Sequence, residues 1–329
     1  MSILITGLTG FLGSHLVREL RSKYPNKDLS ALILPHEREM CKEYEKYEIN
    51  FIFGDVSSKA SLKGCFDGIE SVFHLAAIVD DLAPLSNFYK INHLGTKNLL
   101  EEFVDAGSNT FIYMSTLGIF GFNLPDYPID EDYEVDLIPG YRESKYLGEK
   151  EVFKFAEEFG FKASVLRPPG IFGPGDPHWI PNIFKLVESG KKIPLINGDN
   201  VVYAYSYVFD IIESLMKMEE LDEAKGEAFN HTSFQVTNKE LFETAAKISN
   251  TEFDSYNLNY KIAMIVGLIG ELQWKLVKKR PLLNRYRVKQ MGKSRLVNTE
   301  KIEKKLGVST QISFEEVLRE SYKCYKKEN

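Results

Sequence analysis

The chain has 329 residues, 43% of them apolar and 27% charged, an ordinary globular composition with length for one large domain or two medium ones. A net charge of −6 argues against a global basic field for nucleic acid. Cys41, Cys65 and Cys324 stand far apart, which argues against a disulfide framework or a zinc site and fits a reducing, cytoplasmic setting with no metal.

Alternation of apolar runs with amphipathic stretches predicts a strand at 3–6, a helix at 14–23, and strands at 29–34, 50–53 and 71–75. A helix at 86–104, a strand at 110–115, a helix at 140–159 and a strand at 163–167 follow. Continuous apolar strands separated by helices read as a parallel sheet buried on both faces, an α/β doubly wound (Rossmann) fold. After Arg167 the texture changes to "PPGIFGPGDPHW", a Pro/Gly-rich loop, followed by helices near 180–189, 208–219, 238–249 and 314–325. The expected division is a dinucleotide-binding domain over 1–170 and a smaller, partly interleaved substrate domain over 171–329. No segment resembles a secretory signal, and no apolar run reaches the ~18 residues of a spanning helix.

The first strand runs into "GLTGFLG", with Gly7, Gly10 and Gly13 three apart. Between a strand and a helix, such glycines permit a tight turn, close approach of a pyrophosphate and packing of helix on strand. The helix N-terminus adds free N–H groups and positive partial charge. The competing reading is a tight turn without a ligand. The acidic residue expected at the end of the second strand, to hold the adenosine ribose, is displaced: the sequence reads Leu34-Pro35-His36-Glu37-Arg38. Glu37 suits a ribose 2′-hydroxyl, whereas His36 and Arg38 suit a 2′-phosphate, so NAD and NADP both stay open. Asp55 ends the next strand, facing adenine or capping a turn.

"YRESK" places Tyr141 and Lys145 four apart, on one face of a helix. A phenol with a pKa near ~10 is a poor base at neutral pH, and a nearby ammonium lowers that value. Ser115 and Thr116 end a strand where ligands bind in doubly wound folds, and suit a hydrogen bond to a substrate oxygen; the plainer reading is a turn cap.

Gly7-x-x-Gly10-x-x-Gly13, "HLAA" at 74–77, "INHLGTKNLL" at 91–100, Ser115-Thr116, Tyr141-x-x-x-Lys145 and "LRPPGIFGPGD" occur in order across the chain. Together they resemble the extended short-chain dehydrogenase/reductases. The resemblance implies a catalytic set of Thr116 (with Ser115), Tyr141 and Lys145. It implies cofactor contacts from Gly7, Thr9, Gly10, Phe11, Leu12 and Gly13, from His36 and Arg38, and from Asp55 and Val56. Further contacts are implied for Leu75, Ala76, Ala77, Asn92, Tyr141, Lys145, Pro168, Gly170 and Ile171. Asn92 belongs to the family's structural Asn-x-x-Gly-Thr motif.

Three features separate branches of the family. Leu117-Gly118 follow Thr116, where 4,6-dehydratases resemble one another in an Asp-Glu pair. "NVVYAYSYVFD" carries Tyr203, Tyr205 and Tyr207 but no Arg for a sugar-nucleotide diphosphate. Residues 260–288 form an apolar stretch ending in Lys275, Lys278, Lys279 and Arg280, which resembles the 3β-hydroxysteroid dehydrogenase and sterol-4α-carboxylate dehydrogenase group, as does "NTEKIEKKLGV". That stretch reads equally as a peripheral membrane contact through 260–280 or as a buried helix with a basic solvated end. The implied activity is NAD(P)-dependent interconversion of a secondary alcohol and a ketone on a hydrophobic substrate, with Tyr141 as general acid/base. Alternatives are a dihydroflavonol-reductase-like ketone or aldehyde reductase, a 2-alkyl-3-oxo acid reductase, a sugar-nucleotide epimerase and a cofactor-sensing binding module. The family also implies a homodimer, for which Val152, Phe153 and Phe155 are available.

Overall fold

The computed structural model describes residues 2–328 apart from 81, 279, 280 and 282. The first half contains β1 (Ser2–Thr6), α1 (Phe11–Lys23), β2 (Asp28–Ile33), β3 (Ile49–Phe53) and β4 (Ser71–His74). It continues through α2 (Leu85–Phe88), a π-helical stretch (Tyr89–Leu94), α3 (Gly95–Asp105), β5 (Thr110–Met114), α4 (Tyr141–Phe159) and β6 (Lys162–Arg167). Then come β7 (Gly170–Phe172), α5 (Trp179–Glu188), β8 (Ile193–Ile196), β9 (Val202–Tyr207), α6 (Val208–Glu220), β10 (Glu227–Asn230) and β11 (Phe234–Thr237). The chain ends with α7 (Asn238–Ser249), β12 (Ser255–Leu258), α8 (Tyr260–Val277), α9 (Arg285–Met291), α10 (Glu300–Leu306) and α11 (Phe314–Glu328).

The central sheet has the order β10-β6-β5-β4-β1-β2-β3, and all its pairings are parallel. Side chains alternate across it: Ile3 and Ile5 join one core with Leu16, Val17, Ile211 and Leu215, while Leu4 joins the other with Leu99, Phe103, Phe111 and Val152. Burial on both faces is why these strands read as unbroken apolar runs. The strand order reverses between β1 and β4, and the crevice at the carboxyl ends of those strands is the expected ligand site of such a sheet.

The two halves interleave. After β9 leaves the small sheet β11-β9-β7, α6 packs on β5 and β6, and β10 pairs with β6 to complete the large sheet. Residues 35–47, which no periodicity marks, form a run of 3-10 helix. Val152 and Phe155 are buried within the single chain, and the half-buried Phe153 packs against the same core.

Candidate active site

The glycine loop sits at the reversal point. Gly7 has φ +76°, and a Cβ there would lie 2.9 Å from the Ala76 nitrogen. A Cβ on Gly13 would lie 2.2 Å from the Gly7 carbonyl oxygen, so α1 can start only because that residue has none. At Gly10 a Cβ would meet only that same oxygen, at 3.4 Å, leaving the loop's outer side open. No side chain caps α1, so its first N–H groups stay free for an anion.

At the end of β2 the displaced acid finds its place. The Thr9 hydroxyl donates to Glu37 at 3.0 Å, which ties the carboxylate to the glycine loop. The Arg38 guanidinium stacks 3.7 Å over the Phe53 ring, while His36 is exposed. Asp55 accepts from the Ser57 N–H at 2.8 Å, the turn-capping alternative, and Val56 packs against Gly95.

His74 locks the floor of the crevice. Thr96 spends its hydroxyl proton on the Asn92 carbonyl, so in the neutral ring His74 Nδ1 is the acceptor and takes the Thr6 hydroxyl proton at 2.7 Å, while Thr6 accepts from the Ala76 N–H. His74 Nε2–H then donates to Thr96 at 3.0 Å. Burial, with Lys145 adding to it, holds the imidazole neutral, well below its ordinary pKa. Asn92 is fully buried, exchanges hydrogen bonds with the Ile78 main chain and donates to the Ser144 hydroxyl, so it fixes the loop after β4 to α4.

On α4, Tyr141, Lys145 and Glu149 share a face, and Glu149 pairs with Arg167 at the end of β6. Lys145 is buried with its ammonium 4.2 Å from the centre of the Tyr113 ring. Burial pulls that ammonium down to about 7, against Glu149, which raises it. Tyr141 behaves contrary to the sequence expectation of a lowered pKa. Burial raises its phenol and Tyr286 adds to the rise, outweighing the Thr116 hydroxyl and Arg142, which lower it. Thr116 also caps the turn after β5 by accepting from the Gly118 N–H at 3.1 Å. The Ser115 hydroxyl is buried with no hydrogen-bond partner among the described residues.

A cavity of about 180 Å³ joins these groups. Its lining includes Leu12, Leu75, Ala77, Ser115, Thr116, Tyr141, Lys145, Pro168 and Ile171 from the expected set, together with Val79, Met114 and Pro169. Gly7, Thr9, Gly10, Phe11, Gly13, Ala76 and Gly170 are outside that lining; Gly170 packs against Trp179, and Trp179 against Tyr203 and Tyr205. His36, Arg38, Asp55, Val56 and Asn92 are outside it too, the first four around the ends of β2 and β3. A larger cavity, about 290 Å³, lies between the β10–β11 loop and α10. It contains none of the catalytic candidates, and the His231 on its wall is held neutral by burial, its pKa lowered to about 3.

Near Tyr141, but outside the cavity lining, lies a cluster of residues that sequence spacing did not single out. Arg142 is buried, with its guanidinium 3.7 Å over the Phe122 ring. It donates to Tyr286 at 3.3 Å and to the Gly118 and Gly121 carbonyls at 3.3 and 2.8 Å. Arg295, also buried, donates to the same Gly121 carbonyl at 3.3 Å, and among the described residues its Nε has no hydrogen-bond partner. Among the described residues neither arginine has a carboxylate in ion-pair range. The β9 segment does lack an arginine, but the Arg295 N–H donates to Val202 in β9, and its guanidinium stands 5.5 Å from the Tyr203 ring. Arg142 was visible inside "YRESK"; its burial was not, because Phe122 and Tyr286 come from distant segments.

Residues 3–231 match the family described as the NAD dependent epimerase/dehydratase family, and the chain belongs to it. The sterol-4-alpha-carboxylate 3-dehydrogenase (decarboxylating) of Candida albicans is 28% identical over 95% of this chain and 94% of its own. The human enzyme of that name is 24% identical over 98% of this chain and 87% of its own. Among solved structures, the UDP-glucose 4-epimerase of Thermotoga maritima superposes with a TM-score of 0.80 at 24% identity, covering 100% of this chain and 99% of that one. The UDP-glucuronic acid 4-epimerase of Bacillus cereus, in complex with UDP-glucuronic acid and NAD, gives 0.79 at 20% identity, with 100% of both chains covered. At that identity the likeness is one of fold.

Proposed function

We propose that this family member is an NAD-dependent dehydrogenase that interconverts a secondary alcohol and a ketone on a large apolar substrate, with Tyr141 moving the proton. The observation that carries the reading is the cavity itself. Tyr141, Lys145 and the unpartnered Ser115 hydroxyl share it with Leu75, Ala77, Val79, Met114 and Ile171. The bare outer side of Gly10 and the uncapped start of α1 fit a dinucleotide. When bound, NAD supplies the hydride acceptor or donor.

The remaining work falls to the chain's own residues. Ser115 donates to the substrate oxygen and orients it. Tyr141, kept protonated by burial, gives its proton to that oxygen when a ketone is reduced; the oxidative direction starts instead from the Tyr141 phenolate, which takes the carbinol proton. Lys145 holds the nicotinamide ribose, and Glu149 favours its charged form. Glu37, tied to Thr9, accepts from an adenosine 2′-hydroxyl and repels a 2′-phosphate, which favours NAD over NADP. The sterol dehydrogenases among the relatives support the apolar substrate.

A second reading, a sugar-nucleotide epimerase, draws on one observation. Buried near Tyr141, though outside the cavity lining, Arg142 and Arg295 have no carboxylate in ion-pair range among the described residues, a charge that suits an anionic substrate group. Nicotinamide absorbance with NAD and NADP, followed over 3-hydroxysteroids, 3-ketosteroids, long-chain 3-oxo acids and UDP-sugars, separates the two. Turnover with NAD on a steroid or 3-oxo acid is expected. Epimerised UDP-sugar, with no net change on any apolar substrate, would overturn the first reading in favour of the second.

A further inference from the structure

The outer face of α8 is uncovered. Ile262, Ile265, Val266, Ile269, Leu272 and Leu276 recur at helical spacing along one side and are 43% to 85% exposed. The opposite side is a stripe of small residues, Ala263, Gly267 and Gly270, pressed against the chain leading into α9. A Cβ on Gly270 would lie 2.3 Å from the Leu283 carbonyl oxygen, and one on Gly267 would lie 2.8 Å from the Arg285 nitrogen. The helix therefore packs through its backbone and presents its large apolar side chains outward, the reverse of a surface helix that feeds a core.

The charge around that face is one-sided. Residues 260–293 carry nine Lys and Arg against one acid, Glu271, in a chain whose net charge is −6. Glu271 is already neutralised, because it accepts from the Arg285 main chain at 2.9 Å and from its guanidinium at 2.9 and 2.7 Å. Lys261 and Lys275 border the apolar face and are exposed, as are Lys278 and Lys289; Lys279 and Arg280 lie outside the described residues. An apolar strip edged by unneutralised cations matches the acyl boundary and anionic headgroups of a bilayer. A second copy of the chain fits poorly, since a two-fold pairing would bring two such basic segments together. Among the described residues no helix is long and apolar enough to cross a membrane.

We propose that α8 docks the protein on an anionic membrane surface, lying in the interface with Ile265, Ile269, Leu272 and Leu276 among the acyl chains. The chemistry assigned above is not needed for this. The α8–α9 hairpin also contacts α4, the helix that bears Tyr141, since Tyr286 of α9 accepts from Arg142 at 3.3 Å.

Flotation of the full chain with two vesicle types tests the docking: phosphatidylcholine alone, and roughly three parts phosphatidylcholine to one part phosphatidylserine. Binding is expected on the anionic vesicles and weaker on the neutral ones. The double change Ile265→Ser and Leu272→Ser, at exposed positions that leave the fold intact, should lower binding by at least about tenfold. Lys275→Gln with Lys278→Gln should lower it several-fold on anionic vesicles only. No flotation with either composition overturns the proposal. So does a concentration-dependent dimer that Ile265→Ser and Leu272→Ser dissolves in the absence of vesicle binding; that result assigns the face to a second copy.

Discussion

On the sheet side of Tyr141 the polar groups around His74 and Glu149 have specified partners, and the Ser115 hydroxyl stands apart from them. His74 has Thr6 on one ring nitrogen and Thr96 on the other, Asn92 joins Ile78 to Ser144, and Glu149 meets Arg167. On the hairpin side, Arg142 and Arg295 crowd the Gly121 carbonyl without a carboxylate, and behind them α8 turns its apolar side chains outward. The first side, Ser115 apart, is satisfied from within and tolerates little change. The second is left incomplete by the chain itself, in charge within and in hydrophobic contact without. On the proposed function, proton and hydride chemistry falls to the first side, the fixed wall, and contact with the surroundings to the second, the unfinished one.

The largest expected effect lies on the fixed wall. Tyr141→Phe should lower turnover by about 10³-fold, with NAD affinity by calorimetry unchanged to within about twofold. Near-normal turnover in that variant would remove Tyr141 from the chemistry and collapse the division. Acid sensitivity should lie on the sheet side as well. His231, in the residue after β10, has a folded pKa near 3 against an ordinary 6.5, so the unfolded chain binds the extra proton. Its stabilising contribution is complete above pH 6.5 and is lost as pH falls towards 3, at about 1.4 kcal/mol per pH unit. Denaturant unfolding of His231→Asn from pH 7 to 4 should show a slope shallower by that amount, and an unchanged slope would contradict the assignment.

A smaller effect is expected at Glu37→Ser, which should shift preference towards NADP by about tenfold in the ratio of kcat/KM values. No shift would mean that Glu37 serves only to hold Thr9. The smallest effect sharpens the contrast from the other side. Leu276→Ser, on the uncovered face, should change unfolding free energy in water by less than about 0.5 kcal/mol. Leu99→Ala, in the core between α3 and the sheet, should cost about 3 kcal/mol. A large loss at Leu276 would show that the chain itself covers that face.

The fixed wall was largely legible in the sequence, because its signals are local. Apolar runs marked β1 to β6, glycine spacing marked the turn after β1, and a four-residue interval put Tyr141 and Lys145 on one face. The unfinished wall was legible only in composition. Residues 260–277 are apolar on nearly every side, so periodicity cannot say which face turns inward; the small residues at 263, 267 and 270 settle it once a neighbour is known. Arg142 and Arg295 owe their burial to Phe122, Tyr286 and Tyr203, far off in the chain. The Tyr141 phenol was misjudged because spacing reports the nearby ammonium but not the burial that outweighs it.

The pairing of Glu227–Asn230 with β6 also bears on how such a protein can be recombined. The sheet's last strand is encoded some sixty residues after its neighbour, beyond β7, α5, β8, β9 and α6. A chimera joined at residue 170 would inherit one parent's β6 and the other's β10, and a fragment ending there would bare an unpaired β6 edge prone to aggregation. A crossover placed after residue 231 keeps the sheet and its ligand crevice from one parent, while α8 and α9 travel as a cassette from the other.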